Sequence, residues 1–178
     1  MPKYIFFDID TKLLEIYSAT LSGLKDVEVI NQRTDVRTLK NIDAFVSPAN
    51  SYGWMNGGID GIYSEMFPNV QKKVQNKIAE TVGPTNNYHI PTLPIGMAVM
   101  VNVTNHIKLI CAPTMFTPMN IEKKTDNIYH AMYAILEVCE SLPSTARVAI
   151  PGMGTGVGGL KAEVSANQIR KAFVDYGL

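Results

Sequence analysis

The sequence is poor in the residues on which several common chemistries depend. It has two cysteines, Cys111 and Cys139, among 178 residues, and no CxxC pair. Thiols so placed build neither a disulfide framework nor a zinc site, and read as small buried apolar side chains. Of its three histidines, His89, His106 and His130, no two stand at metal-ligand spacing, and no serine or cysteine sits in a recognisable nucleophile elbow. Neither a metal nor another cofactor is implied. An excess of one charge is lacking too. Sixteen basic residues balance sixteen acidic ones, which excludes the general attraction to nucleic acid that rests on a basic surface. No apolar run reaches the roughly 18–20 residues that cross a bilayer. The N-terminal Met1-Pro2-Lys3-Tyr4 runs into a strand-like segment without the apolar stretch of a signal peptide. These absences predict a cytoplasmic protein without a membrane partner, in which the sequon Asn102-Val103-Thr104 has no meaning.

What is present suits a folded domain. Hydrophobic residues make up 46% and charged residues 18%, enough apolar material for a core. Lys3–Ile9 is aromatic and β-branched and reads as a buried strand. Leu13–Leu24 has helical apolar spacing. Val27–Ile30 and Ala44–Val46 read as strands. A helix is predicted through Ile62, Met66 and beyond, with Val70, Val74 and Ile78 on one face and Gly83-Pro84 as its stop. Ala98–Val103 and Lys108–Ala112 read as adjacent strands, Ile128–Leu142 as a helix, Arg147–Pro151 as a last strand, and Val164–Tyr176 as a final helix. Strands and helices alternate, which predicts an α/β fold with helices on both faces of a mixed sheet. No linker or repeat interrupts the chain, so residues 1–178 form one domain.

Two glycine-rich loops follow strands, on the sheet edge where such folds bind ligands. Residues 50–61 hold Gly53, Gly57, Gly58 and Gly61 among amide and acid side chains, and then enter a helix. Glycines let backbone N–H groups turn toward a ligand, and a helix start favours an anion. Asp60 near that start reads as a helix cap or as a catalytic acid. Tyr52 and Trp54 either stack on a base or ribose or close the loop on the core. The second loop, Gly152–Gly159, carries five glycines in eight positions. Its Gly154-x-Gly156-x-x-Gly159 spacing matches a dinucleotide fingerprint, but that motif needs a further strand with an acid about 20 residues on. Only nineteen residues follow Gly159, and they read as one helix. Leu160-Lys161-Ala162 also rules out a Walker A loop. The arrangement that remains is a row of backbone amides suited to a phosphate or diphosphate.

Asp8-Ile9-Asp10, at a strand end, has the form of the nucleophile motif of haloacid-dehalogenase-like phosphatases. It lacks the Gly-Thr that should follow and a later aspartate pair for magnesium, and strand-end acids with a helix cap account for it as well. Asp35, in Thr34-Asp35-Val36, reads as a cap or turn acid.

Together these pieces resemble the macro domain family, whose fold is a three-layer α/β/α sandwich. Val46-Ser47-Pro48-Ala49-Asn50 resembles its strand ending in Asn-Ala-Ala-Asn. Gly57-Gly58-Ile59-Asp60-Gly61 resembles its Gly-Gly-Val-Asp-Gly, with the same ten-residue step from Asn50 to Asp60. Leu93–Val99 resembles the segment before its next strand, Pro151–Gly159 its phosphate-binding loop, and Thr34-Asp35-Val36 its Gly-Asp-Ile. The variants are nearest a bacterial or phage-like branch. The resemblance implies ADP-ribose, or an ADP-ribosylated protein, as partner. Asp35, with Val36 beside it, would meet the adenine. Asn50 would bind the distal ribose hydroxyls, Gly57, Gly58 and Ile59 would wrap the distal ribose and phosphate, and Asn56, where many members carry glycine, would replace a lost contact or narrow the pocket. Gly154, Thr155, Gly156, Val157 and Gly158 would hold the diphosphate. Asn50 and Asp60 would be the catalytic pair of a MacroD-type hydrolase, which releases ADP-ribose from a protein carboxylate or deacetylates O-acetyl-ADP-ribose without a metal.

The sequence departs from that pattern at named positions. Gly158 stands where hydrolytic members often carry an aromatic on the distal ribose. Met55-Asn56 replaces two further glycines, and no lysine can be placed at the site for the lysine-dependent glycohydrolase class. A non-catalytic reader of ADP-ribose is therefore the second function class that the sequence supports.

Overall fold

A computed structural model describes residues 1–83, 90–122 and 124–178. Six strands alternate with five α-helices: β1 (Lys3–Phe6), α1 (Thr11–Leu21), β2 (Val27–Val29), β3 (Ala44–Ser47), α2 (Gly58–Met66), α3 (Val70–Val82), β4 (Val99–Asn102), β5 (Lys108–Cys111), α4 (Asn127–Cys139), β6 (Arg147–Ile150) and α5 (Ala162–Tyr176). The strands form one sheet in the order β2-β1-β6-β3-β5-β4. All neighbours are parallel except β4, which pairs antiparallel with β5 at the edge.

Strand side chains alternate between the two faces, and the core divides accordingly. Tyr4, Phe6, Val46, Ile110, Val148 and Ile150 pack with α1, α4 and α5. Ile5, Phe7, Phe45, Leu109, Cys111 and Ala149 pack with α2 and α3. The inner strands β1, β6, β3 and β5 thus carry apolar side chains on both faces, which is the reason a run such as Tyr4–Phe6 is buried under two helical layers, whereas the edge strand β2 turns Glu28 away from the core. The result is the three-layer α/β/α sandwich with a mixed sheet.

One element differs from the sequence expectation. The helix predicted from Ile62 onward is two helices. Phe67 is extended, and Asn69 has a left-handed φ of 60°. Pro68 lies between them. It offers no amide hydrogen and disfavours helical geometry at Phe67, so α2 ends there and α3 starts in a new direction. Gly83, with φ 77°, closes α3; Pro84, the second half of the predicted stop, lies outside the described residues.

Both cysteines are free and buried, and burial pushes their thiols up, that of Cys139 to about 12. His106 and His130 are exposed, and His89 lies outside the described residues.

Candidate ligand cleft

The topology brings three strand ends together. β1, β6 and β3 are neighbours, so the segments after Phe6, Ile150 and Ser47 emerge side by side. They wall a cavity of about 680 Å³. Asp35, Val36, Asn50, Asn56, Gly57, Gly58, Ile59, Asp60, Gly154, Thr155, Gly156, Val157 and Gly158 all line it. The wall also includes Phe7, Asp8, Ile9 and Asp10 after β1, which the sequence suggested for a different chemistry, and Arg33, Arg37, Met115 and Pro118, which sequence reasoning missed.

The first loop is held by its own asparagine. Asn50, 6% exposed, accepts at Oδ1 from the N–H groups of Tyr52 (3.1 Å) and Trp54 (3.2 Å) and donates from Nδ2 to the Trp54 carbonyl (2.9 Å). This leaves one amide hydrogen of Asn50 for any ligand. Tyr52 and Trp54 stack on each other at 4.5 Å, and Phe116 meets Tyr52 edge-on at 5.2 Å. Of the two first-loop aromatics, Trp54 reaches the cavity wall and Tyr52 does not.

Beyond that turn the loop offers unpaired donors. Gly57 is the N-cap of α2 and has no side-chain capping bond. Among the described residues, none of the N–H groups of Asn56 to Asp60 finds an acceptor. The helix start also carries partial positive charge. Gly154 to Val157 and Gly158 form a second such row: no N–H from 154 to 158 has an acceptor among the described residues. The ends of this loop are tied instead. Leu160 N–H donates to the Gly154 carbonyl (3.0 Å), Gly159 N–H to Gly156 (3.0 Å), and Ile121 N–H to Gly158 (2.8 Å).

The Asp8-Ile9-Asp10 motif has a structural use. Asp8 accepts at Oδ2 from Gly152 N–H (3.0 Å) and at Oδ1 from Asp10 N–H (2.9 Å). It staples the second loop to β1. A Cβ at residue 152 would lie 2.7 Å from Asp8 Oδ2 and 2.6 Å from Leu13, so any larger residue there would have to displace the Asp8 carboxylate and Leu13. Asp10 caps α1 through the N–H groups of Lys12 and Leu13. Both carboxylates thus serve as backbone acceptors, at a strand end and at a helix cap, the role that competes with a phosphatase nucleophile. Among the described residues no three or more His, Cys, Asp or Glu side chains converge on a point that could hold a metal ion.

Asp60 is not a helix cap. It is the third residue of α2, 8% exposed, and accepts from Ser47 Oγ at 2.6 Å. Burial pushes its carboxyl up to about 6, with the Ser47 hydrogen bond acting in the opposite direction. At the far end Asp35 caps a single 3₁₀ turn, Val36–Thr38. The Arg37 guanidinium grips its carboxylate through Nη2 (2.7 Å) and Nε (3.0 Å), holding it well down, to about 2. Arg37 also stands 3.5 Å from Glu65 of α2. No lysine lines the cavity among the described residues.

Comparison with known proteins gives the family. The Macro domain family model matches residues 46–169. An uncharacterized protein of Aquifex aeolicus (strain VF5) is 32% identical over 136 residues, which cover 72% of this chain and 73% of that protein. Among solved structures, the macrodomain of Mycobacterium tuberculosis DarG superimposes with a TM-score of 0.63 at 21% identity, covering 80% of this chain and 88% of that one. A mutant macrodomain of Oceanobacillus iheyensis, in a structure with ADPR, gives 0.58 at 17% identity, over 78% of this chain and 74% of that one. The family match includes both glycine loops and the end of β3 that leads into the first, and on that match the chain belongs to the macro domain family.

Proposed function

We propose that this protein binds ADP-ribose in the cleft and hydrolyses an ADP-ribosyl linkage there, with Asp60 as the base. The observation that carries the binding is the pair of amide rows, 56–60 and 154–158, which border one cavity and have no acceptors among the described residues. Two such rows suit two linked phosphates: each N–H gains a charge-assisted bond, and no counter-charge from lysine is needed. Asp35 then meets the adenine amino group with the lone pairs that Arg37 leaves free. The distal ribose lies toward Asn50 and Asp60.

The chemistry follows from the Asp60 environment. An acid at about 6 is mostly ionised at neutral pH, yet basic enough to take a proton in a transition state. A water attacks the anomeric carbon. The bond from that carbon to the carrier oxygen breaks, the carrier leaves as a carboxylate, and the water proton passes to Asp60. Positive charge that develops at the anomeric carbon is stabilised by the same carboxylate.

Two observations favour a second reading, a module that binds ADP-ribose without turnover. The Asn50 amide is largely spent on its own loop, and Gly158 presents nothing to pack on the distal ribose. Titration calorimetry with ADP-ribose and a release assay on mono-ADP-ribosylated protein separate the cases. No heat at millimolar ADP-ribose would remove both readings; binding without release would leave the second.

The adenine assignment has its own test. Asp35→Ala should weaken ADP-ribose by roughly tenfold, the worth of one hydrogen bond to a charged group, and leave ribose 5-phosphate unaffected. Equal losses for both ligands would place the adenine elsewhere.

A further inference from the structure

The geometry points to Ser47, the last residue of β3, as the positioning residue that orients the Asp60 carboxylate and keeps it ionised. This deepens the proposed function and rests on Asp60 being the base.

Ser47 is fully buried, and its hydroxyl donates to Asp60 Oδ1 at 2.6 Å across thirteen residues of sequence. Among the described residues it is the side-chain donor that Asp60 has. The other groups near Asp60 do not supply one. Tyr63, on the same helix, gives its phenol proton to the Val46 carbonyl at 3.0 Å. Cys111, the register partner of Ser47 on β5, is buried, and its thiol stays protonated, so no thiolate competes for the serine proton. The remaining titratable groups of the cleft wall are Asp8, paired with Gly152 N–H, Asp10 at its helix cap, and the Asp35–Arg37 pair with Arg33 beside it.

The consequence is directional. A carboxylate held at Oδ1 by a strand residue cannot rotate freely, and its Oδ2 is the oxygen left for water. Hydrogen bonding to the charged form offsets part of the cost of burial. A serine that only filled space would leave the ionisation of Asp60 untouched, so ionisation is the property to measure.

Carbon-13 NMR of the labelled aspartate carboxyls follows the Asp60 midpoint in the wild type, Ser47→Ala and Ser47→Cys, with pH–rate profiles for ADP-ribose release beside it. Ser47→Ala should move the midpoint up by about 1–2 pH units, the equivalent of a hydrogen bond to a charged group. Ser47→Cys, similar in size and a weaker donor, should move it less. Release by Ser47→Ala at pH 7 should fall about two- to tenfold, recover near pH 9, and show an unchanged KM. A midpoint unmoved in whichever variants fold overturns the role of Ser47, whatever the turnover. A shifted midpoint in a protein that releases no ADP-ribose would keep the Ser47–Asp60 coupling and sink the hydrolase instead.

Discussion

Asp60→Asn is expected to make the protein more stable at neutral pH while removing its turnover. Burial of the carboxylate raises its midpoint from an ordinary 3.8 to about 6. Between those values the native state holds a proton that the unfolded chain has released, so unfolding free energy falls as pH rises through this window. Above it the deficit is constant, at about 2–3 kcal/mol. Asparagine carries no charge to bury, and its carbonyl can still accept from Ser47. The variant should therefore gain about 2–3 kcal/mol at pH 7, roughly 5–10 °C in Tm for a domain of this size, and less than about 1 kcal/mol at pH 4. Denaturant unfolding of both proteins at the two pH values measures this. A gain that does not depend on pH would mean that the carboxylate is not paying for its burial.

The same substitution removes the proposed base. Loss of a positioned base lowers a rate by about 10²–10⁴-fold, and ADP-ribose binding should persist because the amide rows are intact. The wild-type release rate should decline as pH falls through about 6, the Asp60 midpoint. Opposite signs for stability and activity mark a group held in place for chemistry rather than for folding. Release that survives Asp60→Asn would move the base to another residue.

The parts legible in the sequence were those written locally. Apolar runs and helical spacing gave every strand and four of the helices, because burial on one or both faces leaves a period in the chain. Glycine density marked both loops, since close approach to a ligand excludes side chains wherever in the fold it occurs. What was not legible depends on partners distant in sequence. Asp8 and Gly152 are 144 residues apart, and nothing near Asp8 distinguishes an aspartate that staples a loop from one that attacks phosphorus. Ser47 reads as part of a strand end until the first turn of α2 folds back on it. Arg37 was passed over beside Asp35, although an acid and a guanidinium two residues apart on a single 3₁₀ turn can meet. The break at Pro68 was there to be read, and the four-residue spacing of Val70, Val74 and Ile78 obscured it by continuing the helical pattern past the proline. The self-bonding of Asn50 is a turn-forming habit of asparagine, hidden by its match to a ligand-binding position.

Gly158→Ala should be among the most damaging single-methyl changes in the protein. A Cβ at 158 would lie 2.5 Å from the Gly154 carbonyl oxygen, 3.0 Å from its carbon and 2.8 Å from Ile121 Cδ1. The first two are backbone, so no rotamer change relieves them. The crowded carbonyl is the one that accepts from Leu160 N–H, so relief must displace the bond that closes the second loop. Moving it turns the 154–158 amides away from a common centre. Overpacking of this kind costs about 1–3 kcal/mol of stability, and loss of two aligned donors to a phosphate costs about 10–100-fold in ADP-ribose affinity. Gly156→Ala is the control. Nothing lies within 4 Å of a Cβ there, and its φ is not left-handed, so its stability should match the wild type within about 0.5 kcal/mol. The same contact explains why the site lacks an aromatic at this position: with the loop closed as it is, residue 158 has no room for any side chain. If Gly158→Ala binds ADP-ribose as the wild type does, the second loop is not what holds the diphosphate. The amides of 56–60 at the α2 start would then carry it.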